Sequence, residues 1–201
     1  MDKTYLALGD SYTIGEAVSM EESFPYQLVA QLNSGGVKTL KPRIIAYTGW
    51  TTGNLISAIN QEKITEKYDF VTLLIGVNNQ YMKHSSETYR KEFAGLLNTA
   101  VNYSTGGKAT VFVISIPDWG VTDFGKLKNP KDVAIEIDKF NAINKEETSN
   151  AGVHYIDITP GSRLAANDTT LITIDGLHPS GKMYAEWVKQ LLPLIRRELY
   201  K

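Results

Sequence analysis

Short apolar segments rich in β-forming residues alternate along this chain with longer segments of helical period. The five apolar runs lie at residues 5–8, 43–47, 70–75, 110–116 and 153–158. Helices are predicted near residues 24–33, 53–66, 86–103, 131–150 and 180–199. This alternation is typical of a parallel sheet with helices on both faces. We therefore expect an α/β fold with a five-stranded parallel sheet in a single domain, residues 1–201.

Composition and charge restrict the classes of function. The 201 residues, 42% of them hydrophobic and 21% charged, are enough to bury one core of ordinary size. The 21 basic and 22 acidic residues give a formal net charge of −1, so no general attraction for nucleic acid or anionic membrane is expected. Because the chain has no cysteine, disulfides and thiolate zinc sites are excluded. We expect no metal and no cofactor.

The start of the chain bears on localisation. The first predicted strand begins at residue 5, which leaves no room for a signal peptide, and no apolar stretch approaches membrane-spanning length. We therefore expect a soluble cytoplasmic protein without a membrane span, although a secreted form trimmed of its leader would look the same.

Glycine with a polar or aromatic neighbour follows four of the five predicted strands. These segments are Gly9-Asp10-Ser11, Thr48-Gly49-Trp50-Thr51, Gly76-Val77-Asn78-Asn79 and Pro117-Asp118-Trp119-Gly120. In an open parallel sheet, ligands bind at the carboxyl ends of the strands. We expect these four segments to surround one site, with the irregular segment 117–130 as one wall of its cleft.

A serine and a distant acid and histidine pair indicate nucleophilic catalysis. Ser11 stands directly after a predicted buried strand, and Asp175 and His178 are three residues apart near the start of the last predicted helix. A serine hydroxyl is a weak nucleophile until a base takes its proton. His178 is the predicted base, and Asp175 is predicted to hold its imidazole in the required tautomer.

At these positions the chain resembles the SGNH (GDSL) hydrolase family, which is named for a serine, a glycine, an asparagine and a histidine in separate sequence blocks. Ser11 matches the nucleophile block, Gly49 the second block, Asn78 the third, and Asp175 with His178 the last. The resemblance implies a flavodoxin-like three-layer sandwich and a Ser-His-Asp triad. It also implies an oxyanion hole made by the Ser11 N–H, the Gly49 N–H and the Asn78 side-chain amide.

The chain departs from the family pattern at two positions. Tyr12 replaces the leucine after the nucleophile, which bears on the shape of the pocket. Asn79 replaces the aspartate after the asparagine, which removes a carboxylate that would help to fix this loop. The residues expected to line the substrate pocket are Tyr12, Trp50, Asn79, Tyr81 and Trp119.

Other residues receive structural interpretations. Asp10 is expected to orient the nucleophile loop, His84 to be solvated, and His154 to be structural. Asp157 is interpreted as a turn residue, with support of the catalytic residues as the alternative. Pro193 is expected to kink or divide the last helix, because proline lacks the amide hydrogen.

These observations predict a cofactor-independent serine hydrolase that cleaves a small-molecule ester, with a short-chain acyl ester or a lysophospholipid-like substrate. The alternatives are a carbohydrate O-acetylesterase on the same fold and, from another class, a catalytically silent binding module. A nucleotide site at residues 176–182 is rejected, because Met183 stands where a phosphate-binding loop requires serine or threonine.

Overall fold

The centre of the computed structural model, which describes residues 1–200, is a sheet of five parallel strands. The strands are β1 (Tyr5–Asp10), β2 (Arg43–Tyr47), β3 (Phe70–Leu74), β4 (Val111–Ile114) and β5 (His154–Ile156). Their order across the sheet is β2-β1-β3-β4-β5, the flavodoxin-like order, which has its switch point between β1 and β3. The predicted α/β class and parallel sheet are confirmed.

Helices follow the strands in alternation. In chain order they are α1 (Ser11–Ile14), α2 (Phe24–Ser34), α3 (Thr52–Glu62), α4 (Val77–Tyr81), α5 (Ser86–Tyr103), α6 (Asp123–Lys126), α7 (Pro130–Ala151), α8 (Thr159–Ser162) and α9 (Gly181–Leu199). Single 3-10 turns lie at Met20–Glu22, Gly107–Thr110, Trp119–Val121, Arg163–Ala166 and Thr169–Leu171. The five long helices are those predicted from the sequence. Within residues 1–200, no helix has both the length and the apolar character needed to cross a membrane.

The helices form two layers around the sheet. α2 packs against α9, and α5 packs against both α3 and α7. Every residue of β1 and of β3 is buried, as expected for central strands of a parallel sheet that is covered on both faces. Between α2 and α9, the rings of Phe24, Tyr184 and Trp187 pack at centroid distances of 5.0 to 6.2 Å. The helices cover the two faces of the sheet, so the carboxyl ends of the strands remain available for the predicted site.

The ends of several elements differ from the predicted ones for local reasons. β1 continues to Asp10, two residues beyond the predicted run, because it pairs with β2 as far as Tyr47. α3 ends at Glu62 and not at residue 66, because the next residue, Lys63, takes a left-handed conformation with φ of 47°. β4 stops at Ile114 because the backbone at Ile116 bonds to the Asn141 side chain. β5 is three residues long, since a turn follows it.

Of the two outcomes expected for Pro193, a kink or a division of the last helix, division is wrong, since α9 runs from Gly181 to Leu199 without a break. Pro193 and Lys189 both lie on the exposed side of α9. Because both residues are exposed, water can supply the donor that proline does not give to the Lys189 carbonyl. Packing of the opposite side, including Trp187 and Leu191, stabilises the helix across the proline.

Candidate active site

Ser11 is the first residue of α1 and follows β1 directly. The Asp10 side chain caps this short helix, with its Oδ1 accepting the Tyr12 N–H at 3.0 Å. The preceding glycine is required by a close approach, because a Cβ on Gly9 would lie 2.5 Å from the Leu74 carbonyl oxygen. The nucleophile loop is therefore held against β3, and Ser11 is 5% exposed.

The structure brings His178 and Asp175 to Ser11 across 167 residues of chain. The Nε2 atom of His178 lies 3.1 Å from the Ser11 Oγ, and its Nδ1 lies 2.6 Å from the Asp175 Oδ2. The other carboxylate oxygen, Oδ1, accepts the backbone N–H groups of Leu177 and His178 at 2.8 and 2.9 Å and the Thr173 hydroxyl at 2.6 Å. Both oxygens of Asp175 are thus fixed by donors.

Asp175 remains ionised at neutral pH. Partial burial raises the pKa of this carboxyl, but the hydrogen bonds from Thr173, His178 and the Leu177 backbone outweigh burial and hold the pKa at about 2. An ionised Asp175 keeps the proton of the neutral imidazole on Nδ1 and leaves Nε2 as an acceptor toward Ser11.

The loop that carries Asp175 and His178 is closed by backbone hydrogen bonds. The Thr173 N–H donates to the His178 carbonyl at 2.8 Å, and the Phe124 N–H donates to the Gly176 carbonyl at 2.9 Å. Gly176 has a φ of 72°, a conformation that glycine adopts without strain. The Ser180 side chain then caps α9. The imidazole is therefore positioned by a short loop between the 117–130 segment and α9.

The two other predicted oxyanion residues lie at the ends of β2 and β3. The Asn78 Nδ2 donates to the Trp50 carbonyl at 2.9 Å, and its carboxamide has a second N–H to donate. Gly49 has a φ of 81°, and a Cβ there would meet no atom within 4 Å. Glycine is therefore favoured at position 49 by the left-handed backbone conformation and not by a lack of space for a side chain. The Thr48 hydroxyl donates to the Glu16 carboxylate, which ties this loop to the segment that follows α1.

Asn79 was predicted to line the substrate pocket. This prediction was wrong, because Asn79 is fully buried. Its Oδ1 accepts the Thr52 N–H at 3.0 Å, and its Nδ2 donates to the Thr52 hydroxyl at 2.7 Å. A carboxamide supplies both a donor and an acceptor, so it attaches α4 to the first residue of α3 without a carboxylate. His84 is exposed, as predicted, with its Nδ1 3.4 Å from the Asn79 Nδ2.

These residues surround a cleft, here called the catalytic cleft, with a volume of about 210 Å³. It is lined by Ser11, Tyr12, Thr48, Gly49, Val77, Asn78, Tyr81, Trp119, Phe124, Leu177 and His178. Of the five predicted pocket residues, Tyr12, Tyr81 and Trp119 line it. The Trp50 side chain is instead packed on Tyr47, at 6.0 Å between ring centroids. Trp50 contributes to the site through its carbonyl, which holds Asn78.

Four lining residues were not assigned to the pocket individually by the sequence analysis. Thr48 and Val77 belong to the strand-end segments that were expected to surround the site, and Leu177 lies next to His178, so this adjacency was the available signal. Phe124 lies in α6, inside the irregular segment that was expected to form a wall of the cleft. Its ring packs on Trp119 at 5.8 Å between centroids.

The remaining residues of interest have structural contacts. His154 stacks on Phe112 at 5.1 Å, and its Nε2 lies 3.5 Å from a Glu198 carboxylate oxygen, in agreement with a structural role. The Asp157 Oδ1 accepts the Thr159 N–H at 3.3 Å, which makes it a turn residue. Within residues 1–200, no group of three or more acidic or histidine side chains is placed to hold a metal ion.

Comparison with known proteins identifies the family of this chain. Residues 7–186 match the model of the GDSL-like lipase/acylhydrolase family. The chain belongs to this family. Members of the GDSL-like family hydrolyse esters, and this chain is an ester-hydrolysing enzyme. A search of curated protein sequences finds no significant match.

Solved structures similar to this GDSL-like enzyme share its fold. A member of the lipolytic G-D-S-L family from Veillonella parvula is 14% identical with a TM-score of 0.76, covering 96% of this chain and 98% of that one. The esterase EstA from Pseudoalteromonas sp. is 15% identical with a TM-score of 0.71, covering 100% of both chains. The acetylxylan esterase Axe2 from Geobacillus stearothermophilus is 14% identical with a TM-score of 0.67, covering 98% and 94%.

Replacement of Asp10 with asparagine is expected to change how stability depends on pH. Burial raises the pKa of Asp10 from 3.8 to about 7, and the Tyr12 N–H only partly offsets this. The stabilisation from the protonated carboxyl is therefore fully present below 3.8 and is lost as the pH rises through about 7. Asparagine keeps an acceptor for Tyr12 and does not titrate. We expect the free energy of unfolding of Asp10→Asn to increase relative to wild type across this range, by up to about 1.4 kcal/mol per pH unit.

Urea unfolding followed by circular dichroism at several pH values measures this difference. The control is Asp2→Asn, which changes an exposed carboxyl. A difference between Asp10→Asn and wild type that stays constant from acid to neutral pH would contradict the prediction.

Proposed function

We propose that this enzyme hydrolyses esters of short acyl groups through an acyl-enzyme formed on Ser11. The observation that carries the proposal is the distance of 3.1 Å between the Ser11 Oγ and the His178 Nε2. This is hydrogen-bond distance between a nucleophile and its base, and the base is in turn oriented by Asp175.

The proton steps follow from this contact. His178 takes the Ser11 proton on Nε2 as the Oγ attacks the ester carbonyl carbon, and the Asp175 carboxylate stabilises the resulting imidazolium. The imidazolium then gives the proton to the leaving alkoxide, so the C–O bond breaks and the alcohol departs. Water attacks the acyl-enzyme by the same route, with His178 again as the base, and releases the carboxylic acid and free Ser11.

The negative charge of the tetrahedral intermediate needs donors that are already in place. The proposed donors are the Ser11 N–H, the Gly49 N–H and the second N–H of the Asn78 carboxamide. Two observations support these donors. All three residues line the catalytic cleft. Each also lies in a segment held by a hydrogen bond: Ser11 by the helix cap, Gly49 by the bond from its neighbour Thr48 to Glu16, and Asn78 by the Trp50 carbonyl.

The dimensions of the catalytic cleft support a small acyl group. Its volume of about 210 Å³ is below the range of about 300–1,000 Å³ that is usual for drug-sized ligands. The side chains of Val77, Phe124 and Leu177 give it apolar walls. Burying a methylene group in such walls contributes about 0.8 kcal/mol, but only as long as the cleft has room for it.

A series of nitrophenyl esters tests the proposed acyl specificity. We expect kcat/KM to be highest for acetate or butyrate and to fall by about tenfold or more for octanoate and palmitate, because the longer chains extend beyond the cleft. The measurement is the release of nitrophenolate, with Ser11→Ala protein as the background control.

A preference for palmitate, together with hydrolysis of a lysophospholipid, would contradict the short-chain specificity and support the lysophospholipid-like alternative. Hydrolysis of none of these esters would likewise contradict the proposed short-acyl specificity.

A further inference from the structure

A second cleft adjoins the catalytic cleft and is not used by the proposed triad or oxyanion donors. Its volume is about 450 Å³, and Tyr81 and Trp119 line both clefts. It lies where the end of α4 meets the start of α7. An ester has an acyl side and an alcohol side, and the smaller catalytic cleft has room for one of them. The second cleft is placed to receive the other.

Several polar side chains of the second cleft are already fixed by one another. Gln80 is 4% exposed, and its Oε1 accepts the Trp119 Nε1–H at 2.8 Å while its Nε2 donates to the Glu136 Oε2 at 2.6 Å. Just before and within the first turn of α7, the Asn129 Nδ2 donates to the Asp132 Oδ2 at 2.8 Å. Each carboxylate has lone pairs for further donors. The cleft therefore presents prearranged acceptors to hydroxyl groups.

The charges in this cleft favour a neutral ligand. Lys83 and Lys128 line it together with Asp132 and Glu136, so two cationic side chains stand with two anionic ones. This balance gives no net attraction for a phosphate, a carboxylate or a cationic head group. A neutral molecule with several hydroxyl groups can bind to the cationic and the anionic side chains, since carboxylates accept hydrogen bonds and ammonium groups donate them.

Tyr81 adds an aromatic surface at the boundary of the two clefts. Its side chain is 46% exposed, although the ring packs edge-on against Trp119 at 5.6 Å. The C–H groups of a sugar or a glycerol backbone gain dispersion contacts against such a ring, while their hydroxyl groups point toward polar partners.

We infer that the second cleft binds the alcohol side of the ester, and that this alcohol is a neutral polyhydroxy compound, either a sugar or glycerol. The inference rests on the proposed function, because it requires an acyl group in the catalytic cleft for attack by Ser11.

Three acetate esters with different alcohols test this inference: mono-O-acetylated methyl xyloside, glycerol monoacetate and ethyl acetate. We expect kcat/KM for one of the two polyhydroxy esters to exceed that for ethyl acetate by about tenfold or more. The ester that is preferred identifies the alcohol as the sugar or as glycerol.

The variant Asp132→Ala is expected to reduce this preference by about fivefold or more, because it removes a hydroxyl acceptor. Glu87→Ala is the matched control, since Glu87 and Asp132 are both exposed acidic residues in the first turn of a long helix. It is expected to leave the preference unchanged. Lys128→Ala, at an exposed position outside the helices, is a second variant should Asp132→Ala fail to fold.

Equal kcat/KM values for the three esters, or a preference that survives both Asp132→Ala and Lys128→Ala, would overturn the inference. So would hydrolysis of nitrophenyl acetate without hydrolysis of either polyhydroxy ester. If neither nitrophenyl acetate nor any of the three esters is hydrolysed, the proposed function fails instead.

Discussion

Replacement of Ser11 with alanine is expected to reduce ester hydrolysis by about 10⁴-fold to 10⁶-fold, to the level that the remaining donors and substrate binding support. The expected loss is this large because the proposed mechanism forms the acyl-enzyme on the Ser11 Oγ, and alanine places no hydroxyl beside the His178 Nε2. Release of nitrophenolate from nitrophenyl butyrate measures the loss. A fluorophosphonate probe, followed by mass spectrometry, is expected to label the Ser11 peptide in wild type and not in Ser11→Ala.

The fold is expected to survive this substitution, since it removes one hydrogen bond of about 1 kcal/mol. Thermal unfolding by circular dichroism checks this point. The control variant is Ser57→Ala, whose hydroxyl donates to the Gly53 carbonyl on the exposed side of α3 and which is expected to keep full activity. Wild-type turnover by a folded Ser11→Ala protein would show that the nucleophile is another residue.

Replacement of Asn78 with alanine is expected to lower kcat by about 10²-fold to 10³-fold with a much smaller effect on KM. The proposed carboxamide donor acts on charge that develops in the transition state, so its loss is felt in kcat more than in substrate binding. Steady-state kinetics on nitrophenyl butyrate separates the two parameters.

Asn78 also donates to the Trp50 carbonyl, so a structural effect has to be distinguished from the loss of the oxyanion donor. Asn78→Asp keeps the size of the side chain but places a carboxylate near the developing negative charge. We expect its kcat to be at least as low as that of Asn78→Ala. Asn98→Ala, at an exposed position on α5, is the control for asparagine removal. A raised KM with unchanged kcat in Asn78→Ala would contradict the proposed role.

The sheet was predictable from sequence because burial on both faces leaves a continuous apolar run in each central strand. All five strands were located, and β2 has the predicted bounds. Strand and helix ends were less predictable, since they depend on tertiary hydrogen bonds. The Asn141 side chain ends β4 by bonding the Ile116 backbone from 25 residues away, and no local pattern reveals such a contact.

The predicted site residues also differ in how far the sequence could place them. Ser11 and His178 stand in recognisable local segments, and the structure brings them together. The orientation of a side chain beside such a segment is set by packing. Trp50 and Asn79 both follow strand ends, yet one packs on Tyr47 and the other is buried against Thr52. Phe124 lines the cleft in a segment whose backbone bonds to the Gly176 carbonyl, more than 50 residues away, and no local pattern reveals that contact.

The separation of 167 residues between Ser11 and His178 has a consequence for how this enzyme acquires activity. During synthesis from the N-terminus, the serine is made near the start and the imidazole only after all five strands. Contacts between such distant parts of a chain form late, because closing a long loop is costly before the intervening elements are in place. Recovery of turnover after dilution from denaturant is therefore expected to coincide with completion of the native state, so the enzyme can serve as its own reporter of refolding.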